Sequence, residues 1–206
     1  MQTQRFAALA TAGLLLFAVP SLASAKGSAT NTVRKANTTV RNLLKQKVAP
    51  GSPAEKAFAK KLTRQVRSFL DIDELGRRAL SSHWAKLTPA QRAEYLKLLR
   101  SLIEKNYIKG LRSNLKYKVK YIGETEKNLS RVVQTEIKTR RRGRPYTVSI
   151  DYVVRKQKGA WRAYDIVTQG VGLVVNYRAQ FNRLISRKGF DNLLKLMRKK
   201  AAKMGS

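Results

Sequence analysis

Leu115-Lys116-Tyr117-Lys118-Val119-Lys120-Tyr121 is the stretch at which the periodicity of the chain changes. Before it, apolar residues recur every three or four positions, which is typical of amphipathic helices. Within it, apolar residues alternate with lysines, which is typical of a strand with one buried side and one side in water. The chain therefore passes from a helical block into a sheet at this point.

Three more strands are predicted after this one, over residues 129–139, 146–154 and 160–167. The loops between them are short, and they contain Gly143 and Gly159, which suit tight turns. Strands spaced so closely are expected to pair with their chain neighbours. The pattern predicts a four-stranded antiparallel meander with a strong twist.

Apolar residues recur at helical spacing both before and after the predicted strands in the sequence. Helices are predicted over residues 33–48, 53–70, 71–84, 89–110, 171–185 and 190–197, with the last two separated at Lys188-Gly189. Helices, then strands, then helices are typical of an α+β domain. We expect residues 26–206 to form one domain, with no linker and no internal repeat.

Two helix starts are marked by capping signals. Asp71 can cap the third helix, with Glu74 three residues later as its reciprocal partner. Thr88-Pro89-Ala90-Gln91 has the order of cap, proline at the first helical position and capping-box glutamine. Capping explains the acids at 71–74 more simply than an acid–base pair does.

Residues 1–25 have the features of a secretory signal peptide. Arg5 precedes an apolar run over residues 6–19, and Ala23-Ser24-Ala25 provides small residues for cleavage before Lys26. The run is short for a membrane span, which takes about 20 residues. The chain has no cysteine, so disulfides, thiolate metal ligands and a lipoprotein anchor are excluded.

The formal net charge is +32, and loss of Arg5 with the signal peptide leaves +31. Such an excess points to nucleic acid, an anionic membrane or acidic proteins as partners. Export argues against a physiological nucleic-acid partner. The basic loop at Arg140, Arg141, Arg142 and Arg144 could contact an acidic partner or a lipid headgroup, or could be a hairpin tip kept soluble by charge.

Sequence signals for catalysis are weak. His83 is the single histidine, and beside Trp84 it is better explained by packing at a helix end. No nucleophile elbow or phosphate-binding glycine loop is visible, and we expect no metal site and no enzymatic activity. Arg178 lies in an apolar helical stripe, where it could pair with Asp165 or face a phosphate.

Three stretches resemble a known family: Phe69–Leu75 with His83-Trp84, Leu87–Gln91 with Tyr107, and Trp161–Ile166 followed by Gly170-Val171 and Leu173–Arg178. Their order and spacing are similar to those of the MlaC family, the periplasmic phospholipid-binding components of the Mla transport system, which includes the toluene-tolerance auxiliary proteins. Gly172 departs from the family's usual serine, and Gln169 stands where an acidic residue is common.

The resemblance implies helices packed on a curved four-stranded antiparallel sheet that encloses an apolar lipid cavity. It implies a bound phospholipid as cargo and no cofactor. Apolar residues on the predicted strand faces and on the helices are then candidates to line the cavity: Leu99, Ile103, Tyr117, Val119, Val133, Ile137, Val148, Ile150, Tyr164, Ile166, Val174 and Phe181.

The resemblance also implies a place and partners for the protein. We expect a periplasmic monomer that moves phospholipid between the outer and inner membranes and maintains outer-membrane asymmetry. Its expected partners are an inner-membrane ABC transporter with a substrate-binding hexamer and an outer-membrane lipoprotein–porin complex. The alternatives are a carrier of another amphiphile, such as a hopanoid, and a basic envelope adaptor that carries no lipid.

Overall fold

The computed structural model describes residues 27–46, 48–49, 51–113, 118–141 and 143–204. The expected signal peptide, its cleavage position before Lys26, and the candidates Tyr117 and Arg142 lie outside these residues. Within the described part of the chain, helices precede and follow a block of strands. The predicted α+β class is confirmed.

Five helices surround the sheet in the described residues: α1 (Gly27–Leu44), α2 (Pro53–Phe69), α3 (Ile72–Leu80), α4 (Pro89–Ser113) and α5 (Leu173–Lys203). None of these helices is long and apolar enough to cross a membrane. The predicted break in the last helix is confirmed, because Gly189 has φ 79° and ψ 167° within α5. Only glycine adopts this backbone conformation readily.

The third helix is shorter than the sequence predicts. It ends at Leu80, and Ser81–Lys86 continue as a 3₁₀ turn after Ser81 takes φ 50°. The residues at 81–83 are Ser, Ser and His, which have weak helix propensity. The local sequence therefore gives the α-helix little support beyond Leu80.

Over the part of the chain that the structure describes, the sheet has five strands: β1 (Lys118–Lys127), β2 (Ser130–Arg141), β3 (Arg144–Gln157), β4 (Ala160–Thr168) and β5 (Val171–Gly172). They are antiparallel and lie in the order β1-β2-β3-β4-β5, so the predicted meander is confirmed. The prediction of four strands is wrong by one. β5 has two residues, too few for an alternating pattern to be visible in the sequence.

Two bulges interrupt the ladders. Ile122 is the extra residue between β1 and β2, and Tyr164 is the extra residue between β3 and β4. A bulge bends its strand and increases the local right-handed twist. The ladders on both sides of the β2–β3 pair are therefore bent at one point each.

The first helix fixes one face of the sheet as the inner face. Asn37 Nδ2 of α1 donates to Tyr121 Oη at 3.1 Å, and Tyr152 Oη donates to Asn37 Oδ1 at 3.2 Å. Val33 of α1 is fully buried in the same apolar cluster as Val133 and Tyr152. The main core therefore lies between the helices and this face.

Candidate functional site

The register of three strands places a row of aliphatic side chains on the inner face. Val119 lies opposite Ile137, and Ile137 lies opposite Val148. Directly opposed residues of an antiparallel pair share a face and bring their Cβ atoms within about 5.5 Å. Val119, Ile137 and Val148, which we call the aliphatic row, therefore form one continuous apolar strip.

The core does not cover the side chains of the aliphatic row. All three side chains are half-buried, and among the described residues neither apolar core cluster includes them. One register step away, Tyr121 and Ile150 flank Thr135 and pack against the main core. Thr135 Oγ1 donates to the Ile150 carbonyl at 2.6 Å, which satisfies its buried hydroxyl. The inner face thus changes from a filled core to a partly open apolar surface.

Five candidates lie inside the main core instead. Each is at most 7% exposed and packed in the largest apolar cluster: Leu99, Ile103, Val133, Val174 and Phe181. Phe181 stacks on Tyr177 with ring centroids 5.4 Å apart and meets Tyr95 edge-on at 5.7 Å. In this conformation these side chains are packed within the core and expose almost none of their surface.

Ile166 and Tyr164 occupy different positions on β4. Ile166 pairs with Tyr152 and packs against the main core, next to Ile150 along the inner face. Tyr164 is the bulge residue, and its hydroxyl lies 3.1 Å from Ser130 Oγ while Arg78 stacks over its ring at 4.2 Å. The structure therefore groups Val119, Ile137, Val148 and Ile150 but places Tyr164 against α3.

Two openings lie among the described residues, a small apolar one and a larger polar one. Between α1 and α2, an apolar opening lined by residues such as Val40, Val66 and Phe69 has about 10 Å³ of free volume, enough for about one water molecule. A second opening, lined by Arg67, Asp71, Asp73, Arg100 and Arg162 among others, has about 260 Å³ but is polar. Neither opening matches the enclosed lipid cavity that the sequence predicts.

The basic hairpin lies at the same end of the sheet as the aliphatic row. Arg140 and Arg144 are exposed on the last residues of β2 and the first of β3, four residues along β3 from Val148. That separation is about 13 Å of strand. Arg141 pairs with Arg144 in the ladder. Two described arginine side chains thus stand beyond the open end of the apolar strip.

A polar contact between β3 and the turn after β4 borders this end. Gln169 Oε1 accepts from the Ser149 backbone N–H at 3.1 Å and from Ser149 Oγ at 2.9 Å. Its Nε2 donates to Tyr146 Oη at 3.2 Å. Sequence reasoning noted Gln169 as a departure from the family pattern without assigning it a role. No local signal links it to a residue 20 positions away.

The acids at the start of α3 are structural. Asp71 Oδ1 accepts from the Glu74 N–H, which confirms the cap, whereas the Asp71 N–H donates to the Ala163 carbonyl at 2.8 Å. Glu74 therefore does not complete a reciprocal box. Burial alone would raise the pKa of Glu74, but hydrogen bonds from Arg77 and Arg78 outweigh it and hold this pKa at about 2.

Other charged candidates also have structural partners. Arg178 Nε and Nη2 donate to the Arg78 carbonyl, and Asp165 Oδ1 accepts from the Val174 N–H, so the expected Arg178–Asp165 pair is not formed. His83 Nε2 lies 2.7 Å from Asn182 Oδ1. Within the described ranges, no three His, Cys, Asp or Glu side chains are grouped so that they could hold a metal ion.

This chain is similar to known proteins in both sequence and structure. A protein of Haemophilus influenzae, the intermembrane phospholipid transport system binding protein MlaC, is 21% identical over 136 residues, which cover 65% of this chain and 64% of that protein. The chain thus matches slightly less than two thirds of this relative's length. A phospholipid-binding protein of Ralstonia solanacearum, solved in complex with a phospholipid, superposes with a TM-score of 0.70.

That structural likeness covers 87% of this chain and 99% of the Ralstonia solanacearum chain at 24% identity, and it shows a shared fold. The family model of the MlaC protein matches residues 34–199, from α1 to the last turns of α5. A match over this range includes every described strand and the aliphatic row. The chain belongs to the MlaC family.

Proposed function

We propose that this protein binds a phospholipid and carries it between the two membranes of a bacterial envelope. The observation that carries the proposal is the aliphatic row, an apolar strip left partly open on the inner face of the sheet. The family and the fold of the Ralstonia solanacearum protein, which is solved with a phospholipid, support the same reading.

The acyl chains enter along the aliphatic row and reach Ile150 and Ile166 deeper on the inner face. The packed residues Leu99, Ile103, Val133, Val174 and Phe181 form the floor of the site once the helices move off the sheet. Tyr117 belongs to the same alternating strand pattern as Val119, and Tyr164 would enter only if α3 moved. We expect such movement because, among the described residues, the apolar opening between α1 and α2 has about 10 Å³ of free volume.

The headgroup phosphate stays near water at the end of the sheet that carries Arg140 and Arg144, with Arg141 and Arg142 in the same hairpin. Guanidinium groups bind phosphate oxygens through paired hydrogen bonds. The hairpin would therefore bind the headgroup of the phospholipid, and the aliphatic row would bind its acyl chains.

The energetics of burial suit a carrier. A diacyl lipid buries about 30 methylenes, and at about 0.8 kcal/mol each its transfer from water releases roughly 24 kcal/mol. A bilayer offers a similar free energy. A site that roughly matches the bilayer exchanges lipid with membrane partners and releases it into water very slowly.

The N-terminal sequence and the family support a periplasmic setting. The signal peptide over residues 1–25 would direct the chain to the periplasm, where it works as a monomer without a catalytic step or a cofactor. There it would exchange phospholipid with an inner-membrane ABC transporter complex and an outer-membrane lipoprotein–porin complex. This exchange would maintain outer-membrane asymmetry.

One observation favours a second candidate function. The core is filled around the apolar opening between α1 and α2, which suits a basic envelope adaptor that binds acidic partners and holds no lipid. The adaptor and the carrier differ in whether a ligand is present after purification.

Native mass spectrometry of the protein purified from the periplasm without detergent tests the proposal. A mass shift equal to one phospholipid, with the same lipid recovered by extraction, supports the carrier. A shift equal to another amphiphile, such as a hopanoid, corrects the cargo. A mass without ligand that persists after incubation with liposomes contradicts the carrier and favours the adaptor.

A further inference from the structure

Most turns of the meander have glycine at the second position of the loop, and the first turn does not. Each of the four hairpin loops has two residues, and three of them end in glycine: Gly143, Gly159 and Gly170, with φ of 79°, 81° and 78°. The first loop is Asn128-Leu129, in which Asn128 has φ 54° and Leu129 does not take positive φ. Leucine therefore occupies a position where the sister turns use glycine.

Folding gives no reason for a leucine there. Leu129 is 96% exposed, the most exposed large apolar side chain among the described residues. It neither packs in the core nor provides the positive φ that a two-residue hairpin favours. A residue that breaks a local rule without a structural gain is a candidate for function.

Lysines surround Leu129 at this end of the sheet. Successive turns of a meander alternate between its two ends, so the loops 128–129 and 158–159 point the same way, about 10 Å apart. Lys127, Lys156 and Lys158 are exposed on or beside these loops. Arg131 pairs with both Glu126, at 3.0 Å, and Glu124, at 2.7 Å, so these three groups together carry one negative charge. The three lysines outweigh that charge and leave this end of the sheet positive.

An aromatic side chain completes this surface. Trp161, half-buried at the start of β4, lies opposite Lys156, whose Nζ is 5.5 Å from its ring centroid. An apolar tip with tryptophan behind it and lysines around it has the composition of segments that sit at membrane–water interfaces. Acidic lipids attract each lysine near the surface, and the apolar tip adds a term that salt does not screen.

We propose that the hairpin tip Lys127–Ser130, together with Lys156 and Lys158, is a docking surface for an anionic lipid bilayer, into which Leu129 inserts. The contact is weak and reversible, as one aliphatic side chain and three lysines allow. It is separate from the proposed lipid site, because the aliphatic row lies toward the other end of the strands.

The absence of cysteine from the whole chain allows a site-specific test. Leu129→Cys, labelled with the environment-sensitive fluorophore nitrobenzoxadiazole, is mixed with phosphatidylglycerol-rich vesicles. Leu196→Cys, at an apolar position 47% exposed on α5, is the matched control, because it lies outside both the proposed lipid site and the hairpin tip. We expect a blue shift and a several-fold rise in emission for the label at 129 and no change at 196.

Vesicle sedimentation measures how much the side chain contributes. Leu129→Ser should weaken binding to these vesicles about tenfold, or about 1.4 kcal/mol, with unchanged circular dichroism and unchanged bound phospholipid by mass spectrometry. Leu196→Ser should leave binding unchanged. Equal binding of Leu129→Ser and wild type would show attraction by charge alone and overturn the proposal. A label at 129 that responds to envelope proteins but not to pure vesicles would also overturn it, in favour of a protein partner.

Discussion

Asp165 Oδ1 on β4 accepts a hydrogen bond from the backbone N–H of Val174 at 3.1 Å, so a strand carboxylate caps α5. The cap position itself is Gly172, which has no side chain to do this. A Cβ atom at Gly172 would lie 2.8 Å from Asp165 Oδ2. The glycine therefore leaves room for the carboxylate, which supplies the cap that a side chain at position 172 would otherwise supply.

This pair predicts a compensating double substitution. Asp165→Ala should lower the free energy of unfolding by about 1–2 kcal/mol, because α5 loses its cap and a favourable charge at its N-terminus. Gly172→Ser alone should also destabilise, because its Cβ meets the carboxylate. In the double variant the serine has room to cap Val174, and urea unfolding should show stability recovered relative to Asp165→Ala. If the double variant loses the sum of the stability lost in the two single variants, the serine does not take over the cap from the carboxylate.

The aliphatic row predicts which strand residues control lipid occupancy. Val148→Glu should reduce bound phospholipid several-fold, because a carboxylate in contact with acyl chains loses its hydration. Thr147→Glu is the matched control, since Thr147 is the exposed neighbour on the opposite face of β3. Native mass spectrometry of the two variants makes the comparison. Equal occupancy in both would remove the row from the site.

Protonation of Glu74 should make the folded protein less stable in acid. Its pKa is about 2 in the folded protein against an ordinary 4.5, because Arg77 and Arg78 bond to its carboxylate. The folded-state pKa is the lower one, so this contribution is complete above about pH 4.5 and is lost as the pH falls toward 2. Its size is on the order of 2 kcal/mol.

Urea unfolding between pH 6 and pH 2.5 measures that contribution. Glu74→Gln should flatten the fall in the free energy of unfolding over this range. Asp73→Asn, at an exposed position on the same turn, is the control and should change the slope much less. If the free energy of unfolding of Glu74→Gln falls with pH as steeply as that of the wild type, other carboxylates account for the loss of stability in acid.

Gly76→Ala should destabilise the protein, although replacing glycine by alanine ordinarily stabilises a helix. It lies inside α3, where alanine is favoured over glycine by about 1 kcal/mol. A Cβ there would lie 2.8 Å from Leu96 Cδ2 and 2.9 Å from Leu99 Cδ2. We expect Gly76→Ala to lower the free energy of unfolding by about 1 kcal/mol, since the Leu96 and Leu99 side chains must shift and Leu99 is fully buried.

Thermal and urea unfolding of Gly76→Ala test this close approach. Gly76→Ala combined with Leu96→Ala, which shortens a contacting side chain, should lose less stability than the two single losses added together. A stabilised Gly76→Ala would mean that the Leu96 and Leu99 side chains move aside at no cost.

Local signals in the sequence predicted local structure well. The Thr88–Gln91 box forms in both directions, with the Thr88 N–H donating to Gln91 Oε1 at 3.0 Å and the Gln91 N–H donating to Thr88 Oγ1 at 3.2 Å. The order of the strands and the break at Gly189 were equally readable. Each depends on residues within a few positions of one another, or on a periodicity that spans one element.

Contacts between distant parts of the chain were not predictable. The Asp71 N–H joins the Ala163 carbonyl of β4 instead of Glu74, and Arg178 bonds to the Arg78 carbonyl instead of Asp165. Each choice is decided by how helices dock on the sheet. Nothing in the local pattern distinguishes Val133, fully buried, from Ile137, four residues later on the same face and half-buried.

The meander also determines the order in which the chain can fold. Every strand pairs with its neighbour in sequence through a two-residue loop, so the ladders need little loop-closure entropy. The core, by contrast, joins Val33 of α1 to Leu193 and Met197 of α5, more than 150 residues away. Substitutions in the hairpins should therefore change the folding rate, and substitutions where α1 and α5 meet the core should change mainly the unfolding rate.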